Sequence, residues 1–233
     1  VPAVPGATGL IHYGGVISEE WDRRLQAQRG LRAWREMADA DASVGSLLYA
    51  ITSMARQTGY MILPASDAPA AIEAATYVEG CFDDMTGTWG DTLAEVLSCL
   101  VYGFSLMLPV YKLREGMAGK QPSAFDDGRI GWDRWSPRAQ EAVDRWVFND
   151  DGEAVAFVHR APPKYTTVTI PLDRVLHFVI RQRKGSPQGV SLLRNAFDAY
   201  YAKKSLQRLE AIAPAFACRN SGCGVPVGTV PSS

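Results

Sequence analysis

The stretch from Ile170 to Glu210, IPLDRVLHFVIRQRKGSPQGVSLLRNAFDAYYAKKSLQRLE, decides how the chain is read. Its first half, Val175-Leu176-His177-Phe178-Val179-Ile180, is a nearly unbroken apolar run with β-branched and aromatic members, so it predicts a buried strand. Arg181, Arg183 and Lys184 end the run, and Gly185-Ser186-Pro187 with Gly189 mark a turn. Ser191 is placed to cap the next element, its hydroxyl accepting an orphan backbone N–H. The spacing predicts a helix from there to about Ala213. Leu192, Leu193, Ala196, Phe197, Tyr200 and Tyr201 recur along one face, while Lys203, Lys204, Gln207 and Arg208 cover much of the rest.

Working outward, Thr166 to Ile170 predicts a strand leading into this stretch. Val155, Phe157 and His159 alternate within Ala154–His159, as a half-buried strand requires. Asp150-Asp151-Gly152 is a turn joining it to Trp146-Val147-Phe148, and Asp126-Asp127-Gly128 is read as another hairpin turn. Ile130–Trp135 and Leu106–Lys112 complete the strand-rich middle. Before it, helical spacing predicts helices over Trp21–Ala40, from Asp41-Ala42-Ser43 through Met54, over Ala68–Asp84 and over Trp89–Val101. Glu19, Glu20 and Asp22 suit the positive end of the first helix dipole. Tyr60–Pro64 is expected as a strand closed by proline. Helices first, strands in the middle and a long C-terminal helix give an α+β class. The expected divisions are an extended N-terminal arm over 1–18, an α+β domain over 19–180, a basic turn and long helix over 181–213, and a Gly/Pro-rich end over 214–233.

Of 233 residues, 47% are hydrophobic and 21% charged, which fits a globular chain of one or two domains. Twenty-four Lys and Arg against twenty-five Asp and Glu leave a formal charge of −1. That balance argues against bulk electrostatic binding of nucleic acid, although it permits a local basic rim. No apolar run is long enough to span a membrane, and no secretory signal opens the chain. Cys81, Cys99, Cys218 and Cys223 do not form metal half-sites, so free thiols and a reducing, intracellular setting are expected.

The chemistry-bearing residue types do not assemble into a catalytic pattern. His177 sits inside an apolar strand, where a satisfied core histidine is the better reading than a base. Gly189-Val190-Ser191 lacks the spacing of a nucleophile elbow, and the Gly185–Gly189 turn lacks the ending of a phosphate loop. The acidic turns lack the distal glutamate of a calcium loop. No enzyme, cofactor or metal is expected. The most suggestive feature is the basic set Arg181, Arg183, Lys184, Arg194, Lys203, Lys204 and Arg208. Those charges face nucleic acid or a neighbouring subunit, or they form a solvated turn and helix face; the pattern allows both. The aromatic residues are expected in the core, with some as interface anchors.

Several phrases resemble the portal proteins of tailed bacteriophages, the Mu-like branch in particular. Ile170–Phe178 followed by Gly189-Val190-Ser191-Leu192-Leu193-Arg194 carries the resemblance, supported by Val101-Tyr102-Gly103-Phe104-Ser105. Met37, Asp41, Val44, Leu48, Ala50 and Ile51 fit the phrase that opens the family's wing domain, and Tyr60–Pro64 fits a following strand phrase. Gly222-Cys223-Gly224-Val225-Pro226-Val227-Gly228 matches half of a terminal phrase, whereas Ala217-Cys218-Arg219-Asn220 departs from the other half. Leu108-Pro109 stands where members often carry a glutamate.

The resemblance implies a portal-like wing domain over 19–180 and a stem or wing helix after it. It implies a structural subunit of a ring, a dodecamer at one capsid vertex of the virion, through which double-stranded DNA passes without sequence recognition. The implied partners are further copies of the chain, the terminase large subunit, the major capsid protein and head-completion or adaptor proteins. The stretch 214–233 would continue into stem, clip and crown elements, making this chain an N-terminal portion. The rival reading is a small intracellular ligand-binding domain or enzyme of α+β class.

Overall fold

The computed structural model describes residues 8–220. Two short strands, β1 (His12–Tyr13) and β2 (Val16–Ile17), form a hairpin around Gly14 and Gly15, both at positive φ. A two-residue turn of that hand needs positive φ at both positions, which glycine supplies without strain. The expected extended arm is therefore, over residues 8–18, a folded hairpin, while residues 1–7 lie outside the described residues. Gly15 seats it: the Trp146 N–H donates to the Gly15 carbonyl at 2.8 Å, and a Cβ on Gly15 would stand 2.0 Å from the Trp146 oxygen.

A 3-10 turn, Arg23–Leu25, precedes helix α1 (Gln28–Ala40). One helix from Trp21 was expected. Instead Asp22 caps its own local turn through the Arg24 N–H, and Ala27 takes φ +49, which breaks the helical path. Helix α1 buries Leu31, Ala33, Trp34 and Met37. Asp41 then caps α2 (Ala42–Arg56), accepting from the Ser43 and Val44 N–H groups. Tyr60–Pro64 was expected as a strand. It keeps the alternation, with Met61 and Leu63 outward, but has no ladder partner. The Tyr60 ring packs on Phe82 and Trp89 while its hydroxyl donates to Asp83 at 2.6 Å, so side-chain anchorage replaces strand pairing.

Helix α3 (Pro69–Asp83) starts with proline, whose missing N–H costs nothing in the first turn. The predicted single helix Trp89–Val101 is divided into α4 (Trp89–Val96) and α5 (Cys99–Tyr102). The Ser105 hydroxyl donates to the Val96 carbonyl at 2.8 Å, and the Leu100 N–H turns to Leu97 instead, so the α-helical register is lost between them. Gly103 ends α5 at φ +92.

All six following strands overlap the segments where the apolar pattern puts them. Strand β3 (Phe104–Glu115) pairs antiparallel with β4 (Asp126–Arg138). Asp126-Asp127-Gly128, expected as a turn, lies inside β4. Asp126 pairs with Glu115 and Ile130 with Leu113, so the residues between them bulge opposite Arg114, with Gly128 at φ +66. Strands β5 (Val143–Phe148), β6 (Ala154–Arg160) and β7 (Thr167–Pro171) form a second antiparallel sheet in that order. Here the acidic turn is real, closed by Asn149 N–H to the Glu153 carbonyl. Strand β8 (Leu176–Val179) returns to the first sheet, giving the order β4-β3-β8. It was expected to be buried but is half-buried along its length, because it is the outer strand and pairs only with β3.

The two sheets meet in an aromatic core. Phe104 and Trp146 stand edge to face at 5.5 Å, Trp146 and Phe157 lie 5.9 Å apart, and the His177 ring lies 5.5 Å from Trp146. A second cluster, Tyr60, Phe82, Trp89, Trp132 and Trp135, joins the helices to β4. Beyond β8, a 3-10 turn Leu192–Ala196 leads into α6 (Phe197–Asn220). Helix α6 was expected to stop near Ala213. It continues through Pro214, since alanines at 211, 213, 215 and 217 favour helix strongly enough to absorb one lost backbone bond. The chain forms two compact units, Val1–Arg194 and Asn195–Ser233.

A buried ion pair ties α3 to the β3–β4 hairpin. Lys112 Nζ lies 3.2 Å from Asp84 and donates to the Asp84 and Pro122 carbonyls. Burial opposes the Asp84 charge, but the Ala124 N–H, the Ser123 hydroxyl and Lys112 outweigh it and hold the carboxyl below its ordinary value. Replacing Lys112 by Met strands that carboxylate, so Lys112→Met should destabilise the fold by roughly 3 kcal/mol. Urea unfolding measures this; a loss below about 0.5 kcal/mol would show the pair to be dispensable.

Candidate functional site

The candidate site is the basic turn after β8 and the helix that follows. Its backbone is held by a crossing of two glycine corners. Ile180 N–H donates to the Gly103 carbonyl at 3.0 Å, and Val190 N–H donates to the Ile180 carbonyl at 3.1 Å. A Cβ on Gly103 would meet the Gln188 oxygen at 2.6 Å. One on Gly189, at φ +59, would meet the Ile180 and Gly103 oxygens at 2.3 and 2.5 Å. These are contacts that only glycine permits. Ser191 is the expected cap, its hydroxyl accepting from the Leu193 N–H at 3.1 Å.

His177 fastens the turn from the strand side. Its Nε2 lies 2.8 Å from the Pro187 carbonyl, which can only accept, so Nε2 carries the proton. Burial holds His177 below its ordinary value of 6.5, against the hydrogen bond to Pro187, which favours the charged form. His159 is also held down, by burial first and then by Arg138.

The predicted basic residues differ in surroundings. Lys184 binds Glu19 at 2.9 Å and the Gly9 carbonyl at 3.3 Å. Arg194 grips Glu20 with two hydrogen bonds, at 2.7 and 2.8 Å, and lies over the Trp21 ring at 5.3 Å. Glu19 is held below its ordinary value, first by the Ile11 N–H and then by Lys184. Sequence reasoning assigned Glu19 and Glu20 to a helix dipole. The helix starts later, and their role is to tie the N-terminal segment to the basic turn. Nothing in the sequence could mark this, because the partners stand 165 and 174 positions away.

Arg181 and Arg183 are exposed, Arg181 reaching the Ser191 carbonyl only at 3.4 Å. In the second unit, Lys203 and Arg208 are exposed on α6, and Lys204 lies over the Tyr200 and Tyr201 rings at 5.8 and 5.6 Å. Lys204 and Arg208, four residues apart, share a helix face. Among the described residues no group of His, Cys, Asp and Glu is arranged to hold a metal, and no helix is long and apolar enough to cross a membrane. Cys81 and Cys99 are free and buried. The side chains of Cys218 and Cys223, and the terminal phrase Gly222–Gly228, lie outside the described residues.

A family model, the portal protein of Mu bacteriophage, matches residues 31–233. The chain belongs to the Mu-type portal protein family. A search of curated proteins finds no match. The match takes in α1 through α6, so the glycine crossing and all seven basic positions of this portal chain lie within it. Among the described residues, the β1–β2 hairpin, the adjoining 3-10 turn and the first residues of α1 precede it. Membership makes the chain a structural component of the phage capsid assembly.

The two depressed histidines give the portal chain a defined response to acid. Unfolded histidine takes up a proton near 6.5 while the folded residues resist it, so the unfolded state binds more protons below that value. Stability is complete above 6.5 and is lost as pH falls through and below it. The urea midpoint should drop between about pH 7.5 and 5.5. His177→Gln, which keeps a donor toward Pro187 but cannot titrate, should lessen that drop; an unchanged slope would remove His177 from the effect.

Proposed function

We propose that this chain is one subunit of a closed portal ring, a dodecamer at a single capsid vertex, through which double-stranded DNA enters and leaves. The observation that carries the reading is the family match over residues 31–233, which includes the strand, basic turn and helix that share its phrases. Unit one, with its helices and two sheets, takes the part of the wing, and α6 that of the stem or wing helix. The role is structural and no reaction is assigned to it. The terminase large subunit would engage the ring during packaging, the major capsid protein would surround it, and head-completion or adaptor proteins would follow.

Within the basic set the geometry favours unequal roles. Lys184 and Arg194 serve the fold through Glu19 and Glu20. Arg181, Arg183, Lys203, Lys204 and Arg208 are the positions we propose to meet DNA phosphate or a neighbouring copy, Arg181, Arg183 and Arg208 being exposed. Contact with a sliding duplex has to be weak and indifferent to sequence, which phosphate contacts provide. A net charge of −1 agrees with that: the chain as a whole does not attract DNA, and only a local rim can.

Particle mass by light scattering, with negative-stain imaging of the full chain, tests the ring. Annular particles with a channel wide enough for duplex DNA are the expected result; a compact monomer at every concentration would overturn the reading. On assembled particles, Arg181→Glu/Arg183→Glu and Lys203→Glu/Arg208→Glu should each weaken DNA retention about equally for unrelated sequences. Discrimination between sequences would contradict a conduit.

A further inference from the structure

Glu19 and Glu20 are held in place by more than the cations they meet. The β1–β2 hairpin sits on β5 through the Gly15–Trp146 hydrogen bond, and the His12 ring stacks on Phe148 at 4.0 Å, with 10° between the planes. Where the hairpin closes, the Ser18 N–H donates to the Ile11 carbonyl at 2.9 Å, and the Ile11 N–H donates to the Glu19 carboxylate at 2.7 Å. Glu20 is fixed in a similar way. Its carboxylate accepts from the Asp22 N–H at 3.0 Å, and its carbonyl accepts from the Gln26 side chain at 2.8 Å. Backbone amides thus help to position both negative charges.

What these charges meet is half of the basic turn. From Arg181 to Arg194 the chain carries four cations, Arg181, Arg183, Lys184 and Arg194, and no acidic residue. Glu19 stands 2.9 Å from the Lys184 Nζ and Glu20 stands 2.7 Å from the Arg194 Nε. Each carboxylate offsets one cation at hydrogen-bond distance, far inside the roughly 8–10 Å over which salt screens. A polyanion approaching the turn therefore meets the net charge of two arginines, although four cations are present. Burial is not what withholds Lys184, since its side chain is 46% exposed; Arg194 is more enclosed at 16%, against the Trp21 ring. The four cations lie within the family match, which starts at residue 31, and the two carboxylates lie before it.

We infer that Glu19 and Glu20 form a fixed electrostatic mask that limits how strongly the basic turn holds the phosphates of duplex DNA. The inference rests on the proposed contact between that turn and DNA, and it names what sets the strength of the contact. A run of cations without an acid of its own favours a polyanion, and the phosphates of a duplex supply one at close spacing. The mask differs from a purely structural tie in what it moves. A tie alone changes stability and leaves DNA affinity as it was, whereas a mask changes the affinity and its dependence on salt.

The test uses the full chain and a duplex of mixed sequence, with binding followed by fluorescence anisotropy over a salt series. Glu19→Gln/Glu20→Gln removes both charges and keeps the side-chain oxygens that accept from the Ile11 and Asp22 N–H groups. It should bind roughly tenfold more tightly at low salt, and the slope of log K against log salt should steepen by about 0.9 for each cation unmasked. Adding Lys184→Gln/Arg194→Gln should return both quantities to those of the unaltered chain. Glu115→Gln/Asp126→Asn removes the same charge at the far end of β3, roughly 35 Å along the strand from the Gly103 corner, and should leave the slope unchanged. Circular dichroism and urea midpoints check the fold; Glu19→Gln alone, which leaves the Arg194 clasp intact, reads half of the effect if the double variant is unstable. An unchanged slope in the masked-site variants, a gain that survives loss of Lys184 and Arg194, or an equal gain in the distant pair would overturn the mask. If Arg181→Glu/Arg183→Glu still weakens DNA retention, the proposed contact stands without it. No DNA binding by any variant, with no effect of Arg181→Glu/Arg183→Glu, would overturn both.

Discussion

The close passage of Gly103 and Gly189 is the constraint on which the architecture depends. Three separate parts of the chain converge there. The end of α5 turns into β3, the end of β8 leaves the sheet, and the basic turn runs on to Ser191. Backbone oxygens lie where side chains would otherwise be, and the hydrogen bonds from Ile180 to Gly103 and from Val190 to Ile180 make the meeting specific. Because β8 joins the first sheet only through β3, its register with β3 and the direction of the outgoing turn are set together at this point. His177 adds a side-chain tie from the strand to Pro187, so the turn is fixed from both sides. A residue with a Cβ at either glycine would have to push apart elements that carry the Trp146 core.

Much of this fold was legible because its elements announce themselves locally. The apolar runs of β3, β5, β6 and β7, the Asp41 and Ser191 caps, and the Gly103 and Gly189 turns all follow from residue type at short range. What was not legible came from long-range competition for backbone groups. The division of α4 from α5 depends on Ser105 reaching the Val96 carbonyl, which no propensity foretells. Tyr60–Pro64 has a strand's alternation, but pairing depends on where a neighbour lies, and its tyrosine found Phe82, Trp89 and Asp83 instead. Gly14-Gly15 lies in the stretch expected as an extended arm. It is a tight hairpin turn, and only the position of Trp146 reveals why.

The candidate site shows the same division. That a basic cluster follows β8 is plain from the sequence. That Lys184 and Arg194 are committed to Glu19 and Glu20 is not, since proximity in space was needed to sort them from Arg181 and Arg183. The sorting changes what the cluster can do. A charge closed into an ion pair offers little to phosphate, while its loss loosens the tie between chain start and turn. The burial of Lys112 and Arg114 makes a related point. Two of the chain's cations lie inside β3, one against Asp84 and the other over the Phe125 ring, and they add nothing to a DNA-facing surface. The basic surface is accordingly smaller than composition suggests.

Saturated and unsaturated regions of the molecule are therefore separate, and the separation has a physical consequence. Around the glycine crossing and the Trp146 core, backbone groups are paired and the large rings pack on one another, although the Trp146 indole N–H has no acceptor. Around α2, its connector and the outer half of the β3–β4 hairpin, apolar side chains stand in water although the sequence there is no more polar than a core. Hydrophobic stabilisation follows the area removed from water, so these side chains contribute little to the isolated fold, and its stability rests on the Trp146 core, the Phe82–Trp135 cluster and the backbone crossing instead.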